Sequence, residues 1–201
     1  RLGPVGGQRK KKLGVVVKAD AYGHGLDVAA PVYRDAGVDW LVVNAAREAK
    51  AVRRVVGGNV PVYVCGPVLE FEADVVVDAG ARVVVVDKGV VAALGRASVA
   101  RGVVTPVHIK VETGTHRQGL LTDDVARLAQ VVRDTPGVTL EGLTTHYADI
   151  EDTTDHRFAD SQLERLLSTR AVVEAVHGPL MVHSANSAAT LLDERTHGEL
   201  V

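Results

Sequence analysis

The sequence predicts an α/β protein, a (β/α)8 TIM-type barrel that is incomplete, with seven βα units visible and an eighth strand absent. Three observations predict it. Short β-branched runs recur seven times, at residues 14–18, 40–44, 60–65, 82–87, 107–112, 140–146 and 180–184. Segments with helical spacing lie between them, such as AAREAKAVRRVV from Ala45, TDDVARLAQVVRD from Thr122 and FADSQLERLLSTRAVVEAV from Phe158. Strands that alternate with helices imply parallel βαβ units. The runs are nearly continuous in valine, as a parallel sheet covered on both faces requires. Seven units without a Gly-x-Gly-x-x-Gly fingerprint fit a barrel better than a doubly wound sheet, which stands as the alternative. No Pro-, Gly- or Ser-rich linker divides the chain, so residues 1–201 read as one domain.

Taken in order, the runs deliver a set of polar residues to their ends. The first ends on Lys18 and continues ADAYGHG, which adds Asp20, Tyr22 and His24. The second ends on Asn44, the third on Cys65 followed by Gly66, and the fourth on Asp87. The fifth carries Lys110 and Glu112 and leads into Thr113 and Arg117. The sixth ends on His146 beside Tyr147, and the seventh brings His183 and Ser184, with Asn186 and Ser187 just beyond. In a barrel the chemistry sits where strands end and βα loops begin. Asn44 and Asp87 read as N-caps of the helices that follow, and Cys65, after VPVYV, as a buried structural thiol.

Composition excludes several function classes. With 46% apolar and 24% charged residues the chain is an ordinary globular one, and disorder is not in play. The formal charge of -2 leaves no electrostatic footprint for nucleic acid, and the one basic run, residues 9–12, reads as a solvated loop. No apolar run approaches the roughly 18 residues of a membrane span, and no charged-then-apolar leader opens the sequence. A single cysteine rules out an intrachain disulfide framework and agrees with a reducing compartment, so a cytoplasmic protein is expected. His24, His146 and His183 belong to separate strands without paired-ligand spacing, which disfavours a metal site. The sequence begins without methionine and stops just past an apparent helix and turn, so cut ends are an expectation beside natural termini.

An ammonium carried by a valine strand is desolvated and loses its proton more easily, the condition for a nucleophilic amine that forms imines with carbonyls. Lys18 is the first candidate; a lysine snorkelling at the barrel rim is the alternative. HSANSAATLL, from His183, places an asparagine and a serine at a strand mouth before a helix of small residues, an arrangement that offers backbone N–H groups and hydroxyls to a phosphate or simply caps the helix. An imine-forming lysine and a phosphate cradle in one barrel mouth suggest pyridoxal phosphate.

VVKADAYGHG, residues 16–25, resembles the cofactor-lysine signature of the alanine racemase family, barrels that hold pyridoxal 5'-phosphate. HIKVETGTHRQG from His108, EGLTTHYA from Glu141 and HSANSAAT from His183 match in the same order, so the resemblance runs along essentially the whole chain. It implies that Lys18 forms the Schiff base and serves as one of two bases in racemising a small amino acid, foremost L-alanine to D-alanine. It gives Tyr22 and Ser187 to the phosphate, and Arg117 to the phenolic oxygen and the substrate carboxylate, a pairing that suits a planar fork of donors. It makes Lys110 a candidate for carbamylation, sets His146 beside the cofactor ring, with a satisfied core histidine as the alternative, and lets Asn186 support the same network.

The family's second base is a tyrosine from a C-terminal β-domain, contributed across a homodimer, and neither that domain nor the arginine of the eighth strand lies within these residues. Little or no racemase activity is therefore expected of this polypeptide alone. Thr115 stands where methionine is common, and ADIEDTTDH, residues 148–156, is longer than the usual connection; it reads as a solvated surface loop or as a wall that alters substrate range. A racemase of broader range and a non-catalytic pyridoxal-phosphate-binding protein, similar to the single-domain homeostasis barrels, remain the competing functions.

Overall fold

The computed structural model describes residues 11–201. Seven parallel strands follow one another in sheet order as in sequence: β1 (Gly14–Val16), β2 (Trp40–Val43), β3 (Val62–Val64), β4 (Arg82–Val85), β5 (Thr105–Lys110), β6 (Val138–Thr144) and β7 (Met181–His183). A doubly wound sheet reverses its order at a switch point. None occurs here, so that alternative falls.

Seven strands and no eighth are present among the described residues, as expected, but hydrogen bonds from residues 199–201 partly fill the eighth position. Glu199 N donates to Val182 O at 2.9 Å on the β7 side. On the β1 side, Lys12 N donates to Glu199 O at 2.9 Å, Gly14 N to Val201 O at 2.6 Å, and Val201 N back to Lys12 O at 2.9 Å. Residues 199–201 therefore bridge the two outermost strands and the sheet curls closed. Lys12 pairs with Leu200 and sets its ammonium 5.6 Å from the Trp40 ring, while Lys11 donates to His197 O at 3.1 Å. This half of the basic run is a pairing segment rather than a solvated loop; Arg9 and Lys10 lie outside the described residues.

The helices stand close to where spacing predicts them: α3 (Ala46–Val56), α6 (Thr122–Asp134) and α7 (Arg157–His177). Asp87 caps α5 (Lys88–Ala100) as expected, its Oδ1 accepting from Gly89 N at 2.7 Å and Val90 N at 3.1 Å. Asn44 does not cap α3. The N-cap is Ala45, which has no side-chain acceptor, and the Glu48 carboxylate takes the Asn44 and Ala45 N–H groups instead. Asn44 packs on Gly66, where a Cβ would come within 2.3 Å of its carbonyl oxygen. No helix among the described residues is long and apolar enough to cross a membrane.

Strand side chains alternate between two cores because successive Cβ atoms point to opposite faces. Leu41, Val43, Val62, Val64, Val83, Val85, Val107 and Ile109 join the large cluster packed against the helices. Trp40, Tyr63, Val84 and Leu200, with Val42, Cys65 and Met181, fill the barrel. A polar chain runs through that interior. Arg82 Nε lies 2.7 Å from Glu141 Oε2, His108 Nε2 3.0 Å from the same oxygen, His183 Nε2 3.0 Å from His108 Nδ1, and His183 Nδ1 3.2 Å from Thr144 Oγ1. Every ring nitrogen of the two buried histidines thus has a partner, as burial of a polar group demands.

Candidate functional site

The valine strand stops short of the lysine. Val17 N still bonds Val42 O at 2.8 Å, but β1 ends at Val16, and Lys18 opens α1 (Lys18–Tyr22), a single turn of left-handed helix. Ala19, Asp20, Ala21 and Tyr22 have φ of 52°, 55°, 54° and 55°. Such residues cost roughly 1–2 kcal/mol each because Cβ crowds the following carbonyl, and runs of them persist only where the surroundings over-determine the backbone. Here the Ala21, Gly23 and Gly25 N–H groups donate to Val17, Ala19 and Asp20 carbonyls at 3.0–3.1 Å, and Asp20 Oδ1 accepts from Leu26 N at 2.7 Å. Gly23 and Gly25 carry the chain onward at φ 86° and 88°, conformations that favour glycine, which explains the two glycines around His24. The turn folds the exposed Tyr22 ring back to 5.9 Å from Lys18 Nζ. His24 is exposed and takes no part.

Lys110 ends β5 on the barrel face and is 7% exposed. Burial above all holds its ammonium below the usual range; Arg117 and Lys18 deepen the drop, while Cys65 and Glu112 oppose it. Burial raises the Cys65 thiol against the pull of Lys18 and Lys110. Cys65, read from sequence as a buried thiol, is half-buried inside the barrel, packed against the Trp40, Tyr63 and Val84 cluster. The loop after β5 closes through Glu112 N to Leu120 O and Leu120 N to Lys110 O, both 2.9 Å, and presents Arg117 exposed. His146 follows β6, half-buried, and its imidazole has no hydrogen-bond partner among the described residues, unlike a satisfied core histidine. Burial first, then Lys110 and Arg117, lowers its pKa.

Gln162, fully buried on α7, ties the two arms of this site. Its amide nitrogen donates to Thr113 Oγ1 and His146 O, each 3.1 Å, and its oxygen accepts from Ala148 N at 3.1 Å. Gln162→Leu removes three hydrogen bonds, although Thr113 Oγ1 keeps Thr145 Oγ1 at 2.7 Å; it is expected to cost about 1–3 kcal/mol, read as a lowered urea midpoint at unchanged slope.

Across the mouth, Asn186 caps α8 (Ser187–Leu192) through Oδ1 to Ala189 N at 2.8 Å, while its Nδ2 donates to Glu151 Oε2 at 3.0 Å. Through this exposed contact Glu151 sets the acidic loop beside the strand mouth. Ser187 is exposed at the start of the helix. Lys18, Lys110 and His146 thus converge from β1, β5 and β6, with Arg117 on the adjoining loop. Among the described residues, none of Lys18, Lys110 and Arg117 has a carboxylate within ion-pair distance. Unpaired cations gathered at the barrel mouth, with Lys110 buried among them, are poised for an anion.

The family model "Alanine racemase, N-terminal domain" matches residues 5–201. The chain belongs to that family. The alanine racemase of Symbiobacterium thermophilum is 36% identical over 191 residues, 94% of this chain, and that of Desulfosudis oleivorans 34% over 200 residues. The alanine racemase structure from Streptomyces coelicolor A3(2) superposes with a TM-score of 0.86 at 29% identity, covering 95% of this chain and 52% of its own. The chain spans about half the length of the curated alanine racemases it matches. Two residues that hold this alanine racemase domain's strand ends together, Glu48 and Gln162, escape sequence reasoning. Glu48 occupies the third helical position, where a glutamate signals a capping box; Gln162 carries no local signal, because its partners come from other elements.

Proposed function

We propose that this chain is the cofactor-binding half of a pyridoxal-phosphate-dependent racemase acting on a small amino acid, foremost alanine. The observation that carries the reading is the set of unpaired cations at the strand ends. The donor set suits the group: Lys18 supplies a primary amine for the aldehyde, Tyr22 and Ser187 supply hydroxyls for the phosphate, and Arg117 supplies a fork of donors for a phenolate or a substrate carboxylate. A relative from Bacillus anthracis, 27% identical with a TM-score of 0.84, has been solved with bound L-Ala-P, which supports an alanine-sized ligand.

When bound, the cofactor would withdraw electrons from Cα and acidify its proton. Lys18 Nζ, as a free amine, would take or return that proton on one face. Arg117 holds the carboxylate, and His146 and Asn186 support the ring's surroundings. Burial lowers the Lys110 ammonium from its usual range, the direction that favours carbamylation of its nitrogen. The opposite face of Cα requires a second acid–base group, which on this reading comes from the remaining length of a homodimeric racemase.

The test is to incubate the protein with pyridoxal phosphate, reduce it with borohydride and map the modified peptide, after circular dichroism has established folding. A pyridoxyl group on Lys18 is the expected result. A folded protein without label, or with label scattered over Lys10, Lys11 and Lys12, would overturn the reading.

A further inference from the structure

We infer that Glu48 is the positioning residue for Lys18, an inference that rests on the cofactor reading above. Its two carboxylate oxygens have separate tasks. Oε2 accepts from Asn44 N at 2.7 Å and Ala45 N at 3.1 Å, starting α3 locally in place of the side-chain cap that Ala45 lacks. Oε1 reaches across to the turn that follows β1 and accepts from Ala19 N at 2.8 Å, 29 residues away in sequence. Ala19 is the first left-handed residue after Lys18. Its N–H lies in the opening turn of a helix, where no intrahelical acceptor exists.

The Oε1 bond therefore fixes the peptide plane joining Lys18 to Ala19, and with it the direction in which the Lys18 side chain leaves the backbone. A carboxylate suits the task because both oxygens accept. A glutamine must turn its NH2 either toward Ala19 N–H or toward the start of α3, placing donor against donor. Glu48 thus holds a strained turn in the one conformation that keeps Lys18 over the barrel mouth, without touching the cofactor itself.

The chain as encoded at full length separates this role from simple capping. Glu48→Ala combined with Ala45→Ser restores a cap for α3, since the N-cap backbone is extended at φ −131° and ψ 154° and a serine there accepts from the third helical N–H. It leaves Ala19 N without its acceptor. Pyridoxal phosphate attachment at Lys18, trapped by borohydride over time, is expected to slow roughly ten- to a hundredfold in this double variant and in E48Q, with the unfolding midpoint of the double variant near that of the unchanged protein. Labelling of the double variant at the unchanged rate would overturn the inference while leaving the cofactor reading intact; absence of label on Lys18 in the unchanged protein overturns both. Should the variants not fold, amide exchange in the unchanged protein decides: a protected Ala19 N–H agrees with the bond, and an unprotected one sinks it.

Discussion

Lys18→Ala is expected to lose covalent attachment of pyridoxal phosphate entirely, and to lower any racemisation supported by the full-length protein by at least about a thousandfold. On the proposed function, the size of the effect follows from two roles lost at once, the amine that would bind the aldehyde and the base that would move the Cα proton. Folding should survive. Lys18 is half-buried, forms no ion pair among the described residues, and lies close enough to Lys110 to lower its pKa, so removing its charge relieves like-charge repulsion rather than breaking a bond. The substitution is therefore expected to change stability by no more than about 0.5 kcal/mol, and to weaken the downward pull on Lys110 and His146. The measurement pairs borohydride trapping with a urea titration. Retained label at another lysine, or turnover within tenfold of the unchanged protein, would assign the amine's role elsewhere.

Stability should drop as pH falls below about 6.5. Burial, then His108 and Lys110, holds His183 well below the usual 6.5; burial also lowers His108, against the opposing pull of Glu141 and with help from Arg82 and Lys12. Both stay neutral in the folded barrel at a pH where the unfolded chain's histidines take up protons. The unfolded state then binds more protons, so unfolding becomes easier as pH falls, by up to about 1.4 kcal/mol per pH unit for each histidine. A second loss begins lower. Burial raises the Glu141 carboxyl, but His108 and Arg82 outweigh it and hold it below its ordinary 4.5, so the stability this carboxylate contributes disappears as it protonates. Urea midpoints between about pH 8 and pH 5 measure the first effect; a flat midpoint across that range would show that the histidine pair charges inside the barrel at little cost.

Much of the barrel is legible from its valines. Burial on both faces of a parallel sheet leaves a run of β-branched residues that needs no partner to be recognised, and all seven strands fall within the predicted runs or extend two residues beyond them. The boundaries differ where backbone geometry overrides composition. VVVK reads as one strand, yet the strand ends at Val16 because the following residues turn left-handed, and nothing in KADAY announces four positive φ values. Asn44 has the chemistry of a cap, but the N-cap position falls on Ala45, Glu48 takes the Asn44 and Ala45 N–H groups, and Asn44 lies against Gly66. Glu151 is one of several acids in a polar loop until the fold sets it against Asn186.

By itself the sequence determined the period of the chain, a strand and a helix repeated, and the identity of the chemical groups at the strand ends, since hydrophobic pattern and residue type are local properties. Tertiary structure alone decided which side of each strand is the barrel. The pleat sends Lys110, His108 and His183 inward and Ile109 and Val182 outward, and only closure of the sheet through residues 199–201 gives those directions a common interior. A valine run is equally apolar on both faces, so no local signal distinguishes the face that packs on helices from the face that gathers charge.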